Sequence, residues 1–180
     1  GFTEIMSNSL TKESYYEGLT SYPAARCVRI LNPLSADLNV MRQTLLFNTM
    51  EAVQLNANRR NGNLRLYEFG NCYFYDEAAR DAEKPLSAYS EQYRLAIAVT
   101  GAAVPQSWNA KPQASSFFTL RAVAEKLLRR FGLDIYALKC EPLQSDLFGD
   151  GISLSAGNGR ELLQIGVVAP RIRRAFDLKQ

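Results

Sequence analysis

The segment from Gln92 to Thr100 constrains the fold most, because bulky and small side chains alternate along it. One set of positions holds Tyr93, Leu95, Ile97 and Val99, and the other holds Arg94, Ala96 and Ala98. Successive residues of a strand point to opposite faces of a sheet, so this alternation predicts a strand with one bulky face and one mostly small face. We expect a central strand, with helices packed closely on one side.

Several further segments are also predicted to be strands. They are 2–9, 25–31, 64–69, 71–75, 134–140, 152–156 and 161–168. Gly70 separates two of them and is predicted to form a bulge or kink. Gly157-Asn158-Gly159 is predicted to join the last two as a tight hairpin, since Asn and Gly tolerate positive φ.

Two long helices are predicted from apolar residues that recur three and four positions apart. The longer covers 35–61, ends near Gly62, and has an apolar face broad enough to pack on both a sheet and another subunit. The other covers 116–131, with Ser115 or Ser116 as its cap and Gly132 at its end. Short helices are predicted at 11–18 and 171–176, and polar loops at 76–91 and 101–113.

The mixed order of strands, hairpins and helices predicts an α+β fold, a mainly antiparallel sheet flanked by two principal helices. A chain of 180 residues is expected to form one domain over 1–180. Gly1 is followed at once by the strand-like Phe2-Thr3-Glu4-Ile5, an abrupt start that suggests a piece of a longer protein. No apolar run is long enough for a membrane helix.

The composition excludes several kinds of chemistry. The chain has no histidine, which removes Ser-His and Cys-His nucleophiles, histidine bases and the commonest zinc sites. No GxxxxGK[ST] or GxGxxG loop is present, and no two carboxylates stand out as an acid and a base. Cys27, Cys72 and Cys140 lie far apart without CxxC spacing, so we expect buried free thiols in a reducing cytoplasm.

Three groups of residues leave two interpretations open. Asp146 and Asp150 could hold magnesium or could simply form turns. The aromatic residues of the 64–75 region could stack on bases or fill a core: Tyr67, Phe69, Tyr73 and Tyr75. The basic residues could contact phosphate or form a solvated face: Arg129, Arg130, Arg171, Arg173 and Arg174. A net charge of only +3 argues against a dominant non-specific nucleic-acid binder.

Several blocks of sequence in a fixed order carry a family resemblance. They are Asn32-Pro33-Leu34-Ser35, Met41-Arg42-Gln43-Thr44-Leu45-Leu46, Glu51-Ala52-Val53 with Asn56 and Arg59, Leu66-Tyr67-Glu68-Phe69-Gly70 with Tyr73-Phe74, Arg94-Leu95-Ala96 with Thr100-Gly101, Trp108, and Phe117-Phe118 with Glu125-Lys126-Leu127-Leu128. This pattern resembles bacterial phenylalanyl-tRNA synthetase beta subunits over nearly the whole chain. Two positions depart from the family pattern, Phe47-Asn48 where Pro-Gly is common and Ser116 where Asp is common.

The resemblance implies a class II aminoacyl-tRNA synthetase-like core that has lost its chemistry. It implies an α2β2 enzyme that joins phenylalanine to tRNA(Phe) with ATP and magnesium, with the catalytic site in the alpha subunit. This chain is then expected to supply no catalytic, cofactor-binding or metal-binding residue. It is expected to act in the cytoplasm, away from membranes, as an interface domain that partners the alpha subunit and meets tRNA(Phe) through the whole enzyme.

Phe74 is the residue from which we expect this chain to have lost ATP-dependent catalysis. The matching strand, Gly70-Asn71-Cys72-Tyr73-Phe74, places it where active class II enzymes have the motif 2 arginine that contacts ATP. A phenyl ring forms no bidentate contact with phosphate. The alternatives are an active class II ligase domain with an unusual motif 2, or a tRNA-contacting module that uses Arg171, Arg173 and Arg174.

Overall fold

The computed structural model describes residues 1–178, which divide into two compact units. The first unit comprises Gly1–Leu55 and Arg65–Ala98. The second comprises Asn56–Leu64 and the described part of Val99–Gln180. Within residues 1–178, no helix is long and apolar enough to cross a membrane. The boundary of a single domain over 1–180 stays a prediction.

The elements from the N-terminus to the end of the first unit are six strands and one helix. They are β1 (Thr3–Glu4), β2 (Leu10–Thr11), β3 (Val28–Arg29), β4 (Val40–Met41), α1 (Leu46–Asn58), β5 (Arg65–Tyr75) and β6 (Tyr89–Val99). One sheet has the order β1-β5-β6, with β1 parallel to β5 and Thr3 opposite Leu66. The other has the order β2-β4-β3 and is antiparallel.

The predicted helix over 35–61 is wrong in its first third. Residues Ala36–Leu38 form a 3₁₀ turn, and Val40–Met41 form β4, whose backbone pairs with both β2 and β3. An α-helix would withdraw those backbone groups from the sheet, so α1 begins only at Leu46. At this end of the helix, the Leu46 N–H donates to Thr44 Oγ1 at 3.2 Å. The left-handed residue after the helix is Arg60, with φ 62°, rather than Gly62.

Three short predicted elements near the N-terminus are also corrected. The strand over 2–9 is reduced to Thr3–Glu4, and the helix over 11–18 is a 3₁₀ turn at Glu13–Tyr16. The strand predicted over 25–31 covers only Val28–Arg29, because Ala24–Arg26 form a 3₁₀ turn. In this turn the Arg26 N–H donates to the Pro23 carbonyl. These segments are too short for periodicity to fix their structure, and local turns and pairing with other strands decide it.

The second unit contains five strands and two helices. They are β7 (Ala102–Val104), β8 (Gln113–Ala114), α2 (Phe117–Arg130), β9 (Lys139–Pro142), β10 (Phe148–Ser155), β11 (Glu161–Val168) and α3 (Pro170–Ala175). An antiparallel sheet has the order β11-β10-β9, and α2 lies against β11. The predicted helix over 116–131 is confirmed as α2, capped by Ser116 and Thr119. The predicted hairpin of β10 and β11 is also confirmed.

Other predictions for this unit need adjustment. The loop predicted over 101–113 contains β7, which pairs with β8. The strand predicted over 134–140 begins as a 3₁₀ turn at Ile135–Ala137, because the Asp134 carboxylate accepts the Tyr136 N–H at 3.0 Å. The loop predicted over 76–91 ends early, since β6 begins at Tyr89. The α+β class itself is confirmed, and the described strands form several small, mostly antiparallel sheets.

Candidate functional site

The inward face of β5 is the part of the first unit where polar and apolar groups are buried together. Alternate residues along the strand are buried: Leu66, Glu68, Gly70, Cys72 and Phe74. The strand runs through Gly70 without interruption, so the two strands predicted over 64–69 and 71–75 are one strand, and the predicted bulge or kink at Gly70 stays a prediction. A carboxylate on an inward position must find a partner, because burying an uncompensated charge is costly.

Glu68 is held by a network of charged and polar groups. Arg42 Nη1 donates to Glu68 Oε1 at 2.7 Å, and the two side chains are 4% and 1% exposed. The Ser7 hydroxyl donates to both Glu68 oxygens at 2.7 Å and accepts from Arg42 Nη1 at 2.9 Å. Arg42 Nε donates to the Asn71 carbonyl at 3.0 Å. These contacts tie the N-terminal segment and the segment before α1 to the centre of β5.

The absent side chain of Gly70 makes room for the Arg42 guanidinium. A Cβ at Gly70 would lie 2.2 Å from Arg42 Nη2 and 3.0 Å from a methyl group of Leu45. The guanidinium is already fixed by Glu68 and Ser7, so it has little freedom to move away. The glycine therefore allows the Arg42 guanidinium to pack closely against the strand.

A second buried polar cluster surrounds Gln43. Its N–H donates to the Tyr16 hydroxyl at 2.9 Å, and its Nε2 donates to the Pro23 carbonyl at 3.0 Å and to Cys27 Sγ at 3.1 Å. Tyr16 packs edge-to-face on Phe47, with ring centroids 5.2 Å apart. Burial raises the pKa of the Tyr16 hydroxyl and of the Cys27 thiol above their ordinary values.

Phe74, at the position where the resemblance places the motif 2 arginine, is a buried core residue. It packs with Leu45 and Cys72 and is 5% exposed. Two guanidinium groups lie beside its ring, those of Arg26 at 5.4 Å and Arg94 at 5.2 Å from the centroid. Both distances suit cation–π attraction to the ring.

Arg94 is also anchored through its own donors. Its Nη1 donates to the Tyr22 hydroxyl at 3.0 Å, while Nε and Nη2 donate to Gln92 Oε1 at 3.2 and 2.6 Å. Arg26 differs, because it lies exposed at the surface. The arrangement holds two positive charges beside an aromatic ring, but Phe74 itself, where the resemblance places the motif 2 arginine, has no side-chain donor.

The predicted metal and phosphate candidates lie in the second unit. Asp150 lies on β10, where it is paired with Val167 of β11, and Asp146 precedes that strand. Within residues 1–178, no group of three or more Cys, Asp or Glu side chains could hold a metal ion. Arg129 and Arg130 end α2, whereas Arg171, Arg173 and Arg174 belong to α3.

The aromatic residues of β5 lie on the face opposite to Phe74. Phe69 is 48% exposed and stacks on Tyr93 of β6, with centroids 6.1 Å apart, while Tyr75 lies 5.3 Å from Tyr89. The core interpretation is therefore wrong for Phe69. On this side the Tyr75 hydroxyl donates to the Glu77 carboxylate, and the Asn71 side-chain amide donates to the Glu91 carboxylate.

The cysteines are free thiols, as predicted, but only two of them are buried. Cys27 and Cys72 are buried, and Cys140 on β9 is exposed. Burial raises the pKa of the Cys72 thiol, while the neighbouring Arg94 charge acts in the opposite direction. The expectation of burial is corrected for Cys140, since every residue of β9 is exposed.

The buried pair of Arg42 and Glu68 is the feature that sequence reasoning missed. A signal was present in the alternation of β5, which puts Glu68 on the same side as Leu66, Cys72 and Phe74. A charge on such a face requires a buried partner. The partner lies 26 residues away, so nothing local in the sequence identifies it.

Comparisons with known proteins agree on one family. The family model described as the phenylalanyl tRNA synthetase beta chain CLM domain matches residues 1–180. The chain is 46% identical over 178 residues to the phenylalanine–tRNA ligase beta subunit of Bacteroides thetaiotaomicron, covering 99% of this chain and 22% of that protein. The corresponding subunit of Porphyromonas gingivalis is 40% identical over 180 residues, covering 100% of this chain and 22% of the relative.

The fold is similar to that of a solved class II enzyme. The pyrrolysyl-tRNA synthetase of Desulfitobacterium hafniense superposes with a TM-score of 0.66 at 15% identity, covering 99% of this chain and 56% of that one. At this identity the likeness concerns the fold alone. The chain spans about a fifth of the length of the curated relatives that it matches.

Proposed function

Because the chain belongs to the family of phenylalanyl-tRNA synthetase beta chain CLM domains, we propose that it is a non-catalytic structural domain of a phenylalanine–tRNA ligase beta subunit. In this proposal it associates with the alpha subunit in an α2β2 enzyme of the cytoplasm. The enzyme joins phenylalanine to tRNA(Phe) with ATP and magnesium, and the alpha subunit performs the reaction. The domain contributes to the interface between the subunits.

The burial of Phe74 is the observation that carries the proposal. Its ring packs with Leu45 and Cys72, at the strand position where the resemblance places the arginine that contacts the ATP phosphates in active enzymes. A phenyl ring neither donates a hydrogen bond nor neutralises charge that develops on phosphate. The residues at this position do not fit magnesium–ATP, and we derive no catalytic step through it.

The neighbouring part of the same face supports the proposal. Arg42 could in principle bind an anion, but Glu68 already neutralises it, and Ser7 and the Asn71 carbonyl accept from it. Releasing it for a substrate would leave the Glu68 carboxylate buried without a counter-charge, at a cost of about 3–5 kcal/mol. The network thus keeps Arg42 bound to groups of the chain itself and not to a substrate.

Exposed apolar side chains of the first unit support an interface role. Met6, Leu31 and Leu34 are 91%, 92% and 100% exposed. Such residues are covered when a partner surface packs on them. The free thiols of Cys27 and Cys72 fit a reducing cytoplasm.

Two measurements test the proposal. Phenylalanine-dependent ATP–pyrophosphate exchange is measured for the chain alone, for the alpha subunit and for both together. We expect no exchange by the chain alone, and a stable complex with the alpha subunit in sedimentation. Exchange by the chain alone would instead support an active ligase domain. Salt-dependent tRNA binding without the alpha subunit, lost on changing Arg171, Arg173 and Arg174 to alanine, would support a tRNA-contacting module.

A further inference from the structure

Two arginines that flank Phe74 have no acidic partner in the part of the chain that the structure describes. Neither Arg26 nor Arg94 takes part in the ion pairs found within residues 1–178, such as those of Arg29, Arg42 and Arg121. Arg94 donates only to neutral groups, those of Gln92 and Tyr22. Two positive charges therefore lie beside one ring without a carboxylate to neutralise them.

Two other arginines of the first unit, unlike Arg26 and Arg94, form ion pairs with glutamates. Arg29 is paired with Glu13, and the buried Arg42 is paired with Glu68. Both guanidinium groups at Phe74 lie within 5.4 Å of the same centroid, so a carboxylate that approaches the edge of this ring would be attracted by two positive charges. The ring and the Tyr22 hydroxyl hold Arg94 in place, which preorganises it for an incoming acceptor.

We propose that Arg26, Phe74 and Arg94 form a docking site for an acidic side chain of the alpha subunit. This inference rests on the proposed function and deepens it, because it names the surface and the chemistry of the partner group. An aspartate or glutamate carboxylate accepts from a guanidinium in a bidentate geometry and neutralises the local excess of positive charge. Arginine and aromatic residues are also enriched where interfaces gain most of their energy.

The exposure of Arg26 favours a protein surface over a small ligand. A pocket for a small molecule encloses most of its ligand, whereas an anion bound at Arg26 would stay open to water on that side. A partner surface that covers Arg26 excludes that water and strengthens the ion pair. A phosphate backbone would favour a row of unpaired cations, but the neighbouring Arg29 and Arg42 are already neutralised.

The test uses the full-length beta subunit mixed with the alpha subunit. Arg26→Glu reverses the charge at an exposed position, and Arg94→Gln removes the charge next to it. Each variant should weaken association with the alpha subunit by at least about tenfold in a binding titration, and the double variant should weaken it further. Arg26→Lys keeps the charge without the fork of donors, and should lie between Arg26→Glu and the wild type.

The matched control is Arg80→Glu, which reverses the charge of an exposed arginine that is already paired with Glu77 at 3.5 Å. It should associate as the wild type does, and circular dichroism should show that all variants stay folded. Failure of the wild type to bind the alpha subunit would overturn the proposed function. Equal binding by the wild type and Arg26→Glu would overturn the docking site alone. Saturable binding of inorganic pyrophosphate to the wild type, abolished by Arg26→Glu, would overturn the docking of a carboxylate. It would show that the two arginines bind a free phosphate instead.

Discussion

Arg42 donates to Glu68 across 2.7 Å in the interior of the first unit, joining the segment before α1 to the centre of β5. The two residues are 26 positions apart, and both side chains are almost completely buried. A buried ion pair of this kind adds little net stability compared with apolar residues, but losing either partner is expensive. Together with the hydrogen bond from Arg42 Nε to the Asn71 carbonyl, it holds the segment before α1 against the strand.

Replacing Glu68 by glutamine should destabilise the chain by about 3–5 kcal/mol. The substitution keeps the shape of the side chain but leaves the Arg42 guanidinium buried without a negative charge. Urea unfolding followed by circular dichroism gives the free energy of unfolding. Removing both charges with Arg42→Met and Glu68→Leu together should recover much of the loss, whereas a double variant as unstable as Glu68→Gln would contradict this account.

Gly70→Ala should cost about 1–3 kcal/mol, because the new methyl group would overlap Arg42 Nη2 and press on Leu45. The matched control is Gly157→Ala, where a Cβ meets no atom within 4 Å. Thermal unfolding of the two variants compares them directly. If Gly70→Ala and Gly157→Ala lower the melting temperature equally, the contact with Arg42 is not the reason that glycine is needed at position 70.

Tyr16→Phe should lower the free energy of unfolding by about 1–3 kcal/mol, since the Gln43 N–H loses its acceptor in a buried position. The wild-type protein should also lose stability above about pH 10, the ordinary pKa of tyrosine. The pKa of Tyr16 is raised in the folded chain, so the unfolded chain releases that proton first and stability falls as pH rises.

Urea titrations below and above pH 10 check this dependence. The slope of stability against pH should be smaller in Tyr16→Phe than in the wild type, because one group with a raised pKa is gone. Tyr136→Phe is the control, since that ring is 86% exposed. Identical slopes in Tyr16→Phe and the wild type would refute the contribution of Tyr16.

A thiol reagent such as DTNB should modify Cys140 rapidly and Cys27 and Cys72 slowly in the native chain at neutral pH. Cys140 is exposed, whereas the other two are buried and the pKa of each is raised, which lowers their thiolate fraction. Stopped-flow absorbance counts the fast thiols. Cys140→Ser should abolish the fast phase, and in urea the remaining two should react. A second fast thiol in the native wild type would contradict the burial of Cys27 or Cys72.

Local pattern was sufficient where an element depends on its own residues. The helix α2 has a regular apolar stripe, a cap at Ser116 and Thr119, and a glycine beyond its end, so its bounds were predicted within a residue or two. The hairpin of β10 and β11 was predicted from Gly157-Asn158-Gly159 for the same reason. The order of the motif blocks indicated the family, which the family model over residues 1–180 confirms.

Local pattern failed where distant segments compete for the same backbone. The apolar spacing of 35–45 is compatible with a helix, but the backbone of Val40 and Met41 pairs with β2 and β3 instead. Gly70 suggested a break in the strand, because its actual neighbour, the Arg42 guanidinium, cannot be seen from the adjacent sequence. The absence of an arginine at Phe74 was evident from the sequence, but the two arginines beside its ring were not.

The sequence by itself therefore determined the α+β class and the clearest helix and hairpin, and it indicated the family. These follow from side-chain periodicity, turn-forming residues and the order of motifs, all of which are properties of neighbouring positions. Only the tertiary structure decided that Arg42 lies over Gly70 against Glu68, and that Arg26 and Arg94 meet at Phe74. The physical reason is that a buried charge selects its partner by proximity in space, and proximity between residues tens of positions apart exists only once the chain has folded.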